Sequence, residues 1–235
     1  MYREILIFCL IGLVACQPEP VDVPYRLELR TLQLEVSILN QDKELISLLS
    51  DEVSELYKEQ VRPEGSDLEK FDNIIFTIQK TALDDTEFTH LQKLKELIVS
   101  IPISLSPRDE HLDALLVFGN DLLVTTETAR DPMMDLYEWN EFMAQIESLK
   151  DSWKLLEDRK PTVELLRFNP IKIDSQMKLF DLLRQSINVF FESVENEEAT
   201  TYDLCSNSDV LRQQYINYLS LLTSVSPQDQ EEILQ

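Results

Sequence analysis

The spacing of apolar residues constrains the fold of this chain more than any other feature. From Tyr25 onward these residues recur at alternating steps of three and four. The first such series is Tyr25, Leu29, Leu32, Val36 and Leu39. Residues at this spacing form one stripe along an α-helix, and that stripe can pack against a core. The chain has only three glycines and no Asn-Gly or Asp-Gly pair, which tight β-hairpins favour. The sequence therefore predicts an all-α protein.

The pattern divides into about seven substantial helices, which we expect to form one or more up-and-down helical bundles. The first stretch, from Tyr25 to about residue 62, is either one long helix or two helices with a break near Asn40-Gln41-Asp42. Alternation in Leu27-Glu28-Leu29 leaves a strand as the alternative there.

Polar residues that can cap a helix predict where several of these helices start. Ser66 and Asp174 are each expected to precede a helix. Three further starts combine a cap with proline at the first helical position, where the missing N–H costs nothing. They are Ser106-Pro107, Asp131-Pro132 and Ser226-Pro227.

A proline-containing link around Pro102 predicts a boundary between two halves of the body. The first bundle half would span 25–101 and the second 107–235. One continuous domain over 25–235 is the alternative, since we find no repeat that relates the halves.

The first fifteen residues read as a targeting segment. Arg3 precedes an uncharged apolar run from Ile5 to Ala15, which is too short for the roughly 20 residues that a membrane-spanning helix needs. The run ends in Leu13-Val14-Ala15-Cys16, which resembles the lipobox of bacterial lipoproteins. The resemblance implies that 1–15 is a signal peptide and that Cys16 carries diacylglycerol and further acyl chains such as palmitate. An ordinary secretory signal with an incidental cysteine is the alternative.

The residues after Cys16 fit such an anchor. Three prolines within 16–24 predict an extended, semi-rigid tether between the lipid and the folded body. In Gram-negative lipoproteins an Asp after the lipidated Cys favours the inner membrane, so Gln17 implies the outer membrane. We therefore expect a lipid-anchored protein of the bacterial cell envelope, facing the periplasm or the cell surface.

The formal net charge of −23 argues against nucleic acid as a partner. It favours solubility, and among envelope proteins it suits a partner with a basic face. With Cys9 in the signal peptide and Cys16 lipidated, Cys205 is the one remaining thiol, so no intrachain disulfide can form.

No set of residues in the sequence predicts a catalytic, metal or cofactor site. Glu87 and His90 form one Glu-x-x-His pair, but a di-iron bundle needs two such pairs, and His111 has Arg108 at the matching position. Two histidines leave little for a catalytic triad or a His₃ zinc site. Phosphate-binding loops need more glycines than this chain has. We therefore expect a protein that is not an enzyme.

The segment Cys205-Ser206-Asn207-Ser208-Asp209 lies at the start of the last long predicted helix. A c-type haem attaches at C-x-x-C-H, and in cytochrome c′ that motif lies on the last helix of a four-helix bundle. The region 107–222 resembles a cytochrome c′-like bundle in outline. Ser208 replaces the second cysteine and Asp209 replaces the axial histidine, so the resemblance does not imply haem.

Trp139 and Trp153 lie two heptads apart and therefore share one helix face. Aromatic residues at that spacing usually pack in a core, and the alternative is that they line a ligand cavity.

The features together suggest a non-catalytic binding or scaffold component of the cell envelope. The alternatives are a bundle that binds a small ligand or a cation, derived from a cofactor-binding ancestor, and an envelope enzyme that uses carboxylates alone.

Overall fold

The structure is a computed structural model, and it describes residues 26–62, 65–81, 86–101, 109–130, 136–161, 173–196 and 198–223. At residues 66, 81, 86–88, 136 and 173 it describes the backbone alone. The predicted signal peptide and tether, the link at Pro102, and the predicted starts at Asp131-Pro132 and Ser226-Pro227 lie outside the described residues.

The described residues form eight α-helices and no strand, which confirms the all-α prediction. They are α1 (Arg26–Leu39), α2 (Lys43–Val61), α3 (Ser66–Thr81), α4 (Thr86–Ser100), α5 (Glu110–Thr128), α6 (Leu136–Asp158), α7 (Ile173–Glu195) and α8 (Thr201–Leu222).

The first predicted stretch is two helices, and the strand alternative is wrong. The break falls at residues 40–42, where Gln41 adopts a left-handed φ of 57°. Asp42 then caps α2, because its side chain accepts a hydrogen bond of 3.1 Å from the backbone N–H of Leu45.

The predicted start at Ser106-Pro107 lies outside the described residues. The fifth helix begins at Glu110, and its cap is Asp109, whose Oδ1 accepts from the backbone N–H groups of His111 and Leu112 at 2.9 and 3.2 Å. One carboxylate therefore satisfies two of the unpaired donors of the first turn. Ser66 and Asp174 are the first residue of α3 and the second residue of α7, so each lies within two residues of the predicted helix start.

The start of α8 carries a cap that the sequence reading missed. Thr200 and Asp203 form a reciprocal capping box, in which each side chain accepts a hydrogen bond from the other residue's backbone N–H, at 3.2 and 2.9 Å. The usual signature has Glu or Gln at the second position, and here the shorter Asp203 takes that role.

Consecutive helices pair as α1 with α2, α3 with α4, α5 with α6 and α7 with α8. One helix of each pair, namely α1, α4, α5 and α8, belongs to a central group. In this group α1 packs against the other three, and α5 packs against α4 and α8. The helices α2 and α3 lie against α1 and α4 respectively, and α6 and α7 lie against α5 and α8.

The central position of α1 makes its predicted single stripe wrong in detail. Leu32 is buried as expected, but Leu29 and Val36 are only half-buried, whereas the polar residues Thr31 and Glu35 are fully buried. A helix that packs against several neighbours buries more than one face.

Other predicted seams are confirmed. In α7 the four buried apolar residues are Leu183, Ile187, Phe190 and Val194. The rings of Tyr57 and Phe71 stack with centroids 3.8 Å apart and join α2 to α3. Packing of α1 and α4 on α5 crosses from one predicted half to the other, and the division at 101–107 stays a prediction. None of the described helices combines the length and apolar character needed to cross a membrane.

Candidate functional site: a sealed polar cluster in the bundle centre

Three ionisable side chains meet where the central helices meet. Lys95 of α4 donates to both carboxylate oxygens of Glu35 on α1, each at 2.9 Å. The hydroxyl of Tyr215 on α8 donates to Oε1 of the same carboxylate at 3.0 Å. We call Glu35, Lys95 and Tyr215 the sealed cluster, because each of the three side chains is 0% exposed.

Burial shifts the protonation equilibria of this cluster. It lowers the pKa of Lys95, while the neighbouring Glu35 carboxylate and Asp121 on α5 oppose that change. Burial and the Glu35 charge raise the pKa of Tyr215 well above its ordinary value. The phenol therefore keeps its proton and serves as a donor to the carboxylate.

A glycine of α5 provides the space for the cluster. A Cβ added at Gly119 would overlap the Tyr215 hydroxyl oxygen and would lie 2.8 Å from Lys95 Nζ. Glycine in a helix interior costs about 1 kcal/mol relative to alanine. All four central helices thus meet at this point, and the close approach of two side chains to the α5 backbone explains the glycine.

The sealed cluster was missed by the sequence reading, although one signal could have located it. Gly119 stands alone inside a long helical pattern, and an isolated glycine there indicates close packing or a functional reason. Nothing in the spacing of Glu35, Lys95 or Tyr215 reveals that they meet, since each is separated from the next by 60 residues or more.

Chemically, the sealed cluster contains a potential base, a potential acid and a cation, but none is open to solvent. A general acid or base must reach its substrate within hydrogen-bonding distance. Each group is instead bonded to another member, so the arrangement fixes how the four helices pack.

A second group of buried polar residues lies at the N-terminal end of α5. The ring of His111 is fully buried, with Nδ1 2.6 Å from the carbonyl oxygen of Arg159 and Nε2 2.7 Å from the Tyr218 hydroxyl. The backbone N–H of Asp109 donates to Glu28 at 3.3 Å. These contacts join α5 to α1, α8 and the residue just after α6.

His90, the histidine of the single Glu-x-x-His pair, is half-buried at a surface groove between α3 and α4. The side chain of Glu87 lies outside the described residues. The groove has a volume of about 490 Å³, and its lining residues are Glu69, Lys70, Asn73, Ile74, Thr77, His90 and Lys93. Within the described part of the chain, no group of three or more His, Cys, Asp or Glu residues is arranged to hold a metal ion.

The two tryptophans pack into the core, as one of the two readings predicted. Trp153 is buried against Phe118 and Phe180, with centroids 5.4 and 5.7 Å away. Trp139 is half-buried, and its ring centroid lies 5.5 Å from that of Phe142.

The cytochrome-like segment lies on the first turns of α8. Cys205 is a free, half-buried thiol, and its carbonyl accepts from Ser208 Oγ at 2.7 Å. Asp209, at the position of the axial histidine, accepts from Arg130 Nε at 2.9 Å. Ser208 and Asp209 therefore form hydrogen bonds with other residues of this chain. The lipidation residue Cys16 lies outside the described residues.

Comparisons of this chain with protein families, curated proteins and solved structures give no match to a family model, to a curated protein or to a solved structure.

Proposed function

We propose that this protein is a non-catalytic binding or scaffold component of the bacterial cell envelope, held at a membrane by lipid on Cys16. The protein acts through the surface of a rigid helical body, and the lipid and the tether 16–24 position that body. The outer membrane is the proposed location, with the body facing the periplasm or the cell surface.

The observation that carries this proposal is the sealed cluster. Its carboxylate, ammonium and phenol groups bind one another at 2.9–3.0 Å and are 0% exposed. A buried ion pair of this kind contributes little net stability, but it can favour one packing arrangement over others. The sealed cluster therefore suits a structural role in the core, and we propose that the outer surface of the bundle binds the partner.

The exterior is strongly acidic, since the chain has 44 acidic and 21 basic residues. Several basic side chains are already paired, as Arg130 is with Asp209 and Arg212 with Glu127. An acidic surface attracts partners with a basic face and repels nucleic acid. We therefore propose a basic envelope protein as the partner, bound in a salt-dependent manner.

The anchor is tested by producing the full chain in a bacterium in the presence of labelled palmitate. We expect label on the wild-type protein and on Cys205→Ser, which is the matched control, and none on Cys16→Ser. We also expect the wild type to sediment with the outer membrane. Label that persists in Cys16→Ser would exclude lipidation at this residue.

Small-ligand binding is the second candidate function, and the groove between α3 and α4 favours it. Its volume of about 490 Å³ falls within the range of small-molecule sites. Lys70 and Lys93 bring two positive charges to it and Glu69 brings one negative charge, so the net positive charge favours an anionic ligand over a cation. Titration with phosphate, with citrate and with calcium chloride would separate these classes. Phosphate or citrate binding that Lys93→Gln weakens and Lys178→Gln on α7 does not would support this candidate, whereas no binding, or equal binding by both variants, would remove it.

A further inference from the structure

His111 makes contacts that depend on its protonation state. A carbonyl oxygen can only accept a hydrogen bond, so the 2.6 Å contact with Arg159 places the ring proton on Nδ1. In the neutral ring Nε2 is then an acceptor, and it takes the proton of the Tyr218 hydroxyl across 2.7 Å. The neutral ring therefore has both of its hydrogen bonds satisfied.

These two hydrogen bonds connect α5 with α8 and with the residue that follows α6. His111 belongs to the first turn of α5, Arg159 directly follows the last residue of α6, and Tyr218 lies in the last two turns of α8. The Arg159 carbonyl belongs to the end of α6, where the last carbonyls of a helix have no partner within it. The His111 imidazole, at the beginning of α5, thus donates a hydrogen bond to a carbonyl just after the end of α6.

A protonated ring keeps its hydrogen bond to the Arg159 carbonyl but no longer accepts one from Tyr218. Nε2 would then carry a proton that faces the Tyr218 hydroxyl, so both groups would be donors and Tyr218 would have to turn its own proton elsewhere. Tyr218 is 1% exposed, which makes an unpaired hydroxyl proton costly. The charge would also lie on a ring that has no contact with solvent.

The charged and titratable surroundings act in both directions. They are Asp109, which caps α5, Glu28 from α1, Tyr218 from α8 and Arg159 just after α6. Arg184 of α7 also lies nearby, with its guanidinium 5.4 Å above the Phe180 ring that contacts His111. Burial lowers the pKa of His111 below its ordinary value and outweighs the hydrogen bond to the Arg159 carbonyl and the Asp109 charge, which both favour the charged ring.

We propose that His111 is an acid-sensitive lock, which holds α5 to α8 through the Tyr218 hydroxyl while the ring is neutral and releases that contact when the ring is protonated. The lock depends only on contacts within the bundle. It does not require the proposed membrane anchor, so the two proposals can fail independently.

The direction of the pH effect follows from the two states. In the unfolded or opened chain the ring takes up a proton near pH 6.5, whereas in the closed bundle it does so only at lower pH. The open form therefore binds more protons as pH falls below about 6.5. Its equilibrium constant rises by up to tenfold for each pH unit until the pKa of the closed form is reached.

The chain has only two histidines, which makes the test sharp. Urea unfolding of the full protein is measured between pH 7.5 and 5.5, a window above the ordinary pKa of carboxylates. We expect the wild type and His90→Asn, the matched control, to show the same rise in unfolding constant below pH 6.5. His111→Asn can still donate to the Arg159 carbonyl but cannot titrate, so its unfolding constant should be independent of pH in this window.

Two results would overturn the lock: a His111→Asn profile as steep as that of the wild type, or a wild-type profile that is flat. If His111→Asn does not fold, nitrogen-15 NMR of the wild-type imidazoles provides the second measurement. We expect one of the two rings to remain in the neutral Nδ1–H form at pH 6. A buried ring that is protonated at pH 6 in the folded protein would contradict the proposal.

Discussion

Gly119 offers the most demanding test of the packing around the sealed cluster. An added Cβ would overlap the Tyr215 hydroxyl oxygen and lie 2.8 Å from Lys95 Nζ, so Gly119→Ala must displace both. Displacement weakens the hydrogen bond from Tyr215 to the Glu35 carboxylate, which as a bond to a charged group contributes about 1.5–3 kcal/mol.

The expected magnitude follows from three contributions. Overpacking of a close-packed core adds about 1–3 kcal/mol to the lost hydrogen bond. Alanine returns about 1 kcal/mol through its higher helix propensity. We therefore expect Gly119→Ala to lower the free energy of unfolding by roughly 1.5–5 kcal/mol, measured by urea denaturation.

A double-mutant cycle shows whether the cause is the one described. Tyr215→Phe removes the oxygen that the new Cβ would overlap, so Gly119→Ala should cost at least about 1 kcal/mol less in that background. Gly65→Ala is the control. It has no neighbour within 4 Å, and its φ of +59° makes alanine costly through backbone strain, so it should not couple to Tyr215. If Gly119→Ala were neutral or stabilising, the close approach would be refuted.

Three further predictions concern single features. Lys95→Met should lower the free energy of unfolding by about 3–5 kcal/mol, because it leaves the Glu35 charge buried and unpaired, and a loss below 1 kcal/mol in denaturant melts would argue against that burial. Thr200→Ala should cost about 0.5–2 kcal/mol through loss of the α8 cap, while Thr201→Ala, one residue into the helix and exposed, should cost less than half as much in the same assay. Cys205→Ala should be nearly neutral, and the wild-type protein made alongside haem-maturation enzymes should show no Soret absorption; a covalent chromophore that this substitution removes would instead favour the cytochrome-like interpretation.

The helices could be predicted because their apolar spacing is a local property. Leu183, Ile187, Phe190 and Val194 keep their steps of three and four, and all four are buried. Pattern reading is less reliable for α1, which packs against several helices and buries Glu35. A charged residue is read as exposed unless its partner is known, and the partner of Glu35 lies 60 residues away.

The candidate site was beyond pattern reading for the same reason. Its members come from α1, α4, α5 and α8, and their meeting depends on how four hairpins pack rather than on any short motif. Gly119 was visible as an isolated helical glycine, but its partners were not. The sequence likewise indicated His111 only as a histidine without the glutamate of a Glu-x-x-His pair. Its two hydrogen bonds are to residues 48 and 107 positions away.

The most direct measurement compares two lysines of one helix. Lys93 is exposed and Lys95, two residues later, is 0% exposed and bonded to Glu35. The native full-length protein is treated with an amine-reactive reagent, and modification at each lysine is followed by mass spectrometry. If the cluster is sealed, Lys93 is modified quickly and Lys95 reacts only at the rate at which the bundle unfolds, rising to that of Lys93 in urea. Modification of Lys95 at the rate of Lys93 in the native protein would show that the sealed cluster is open to solvent and would contradict this account.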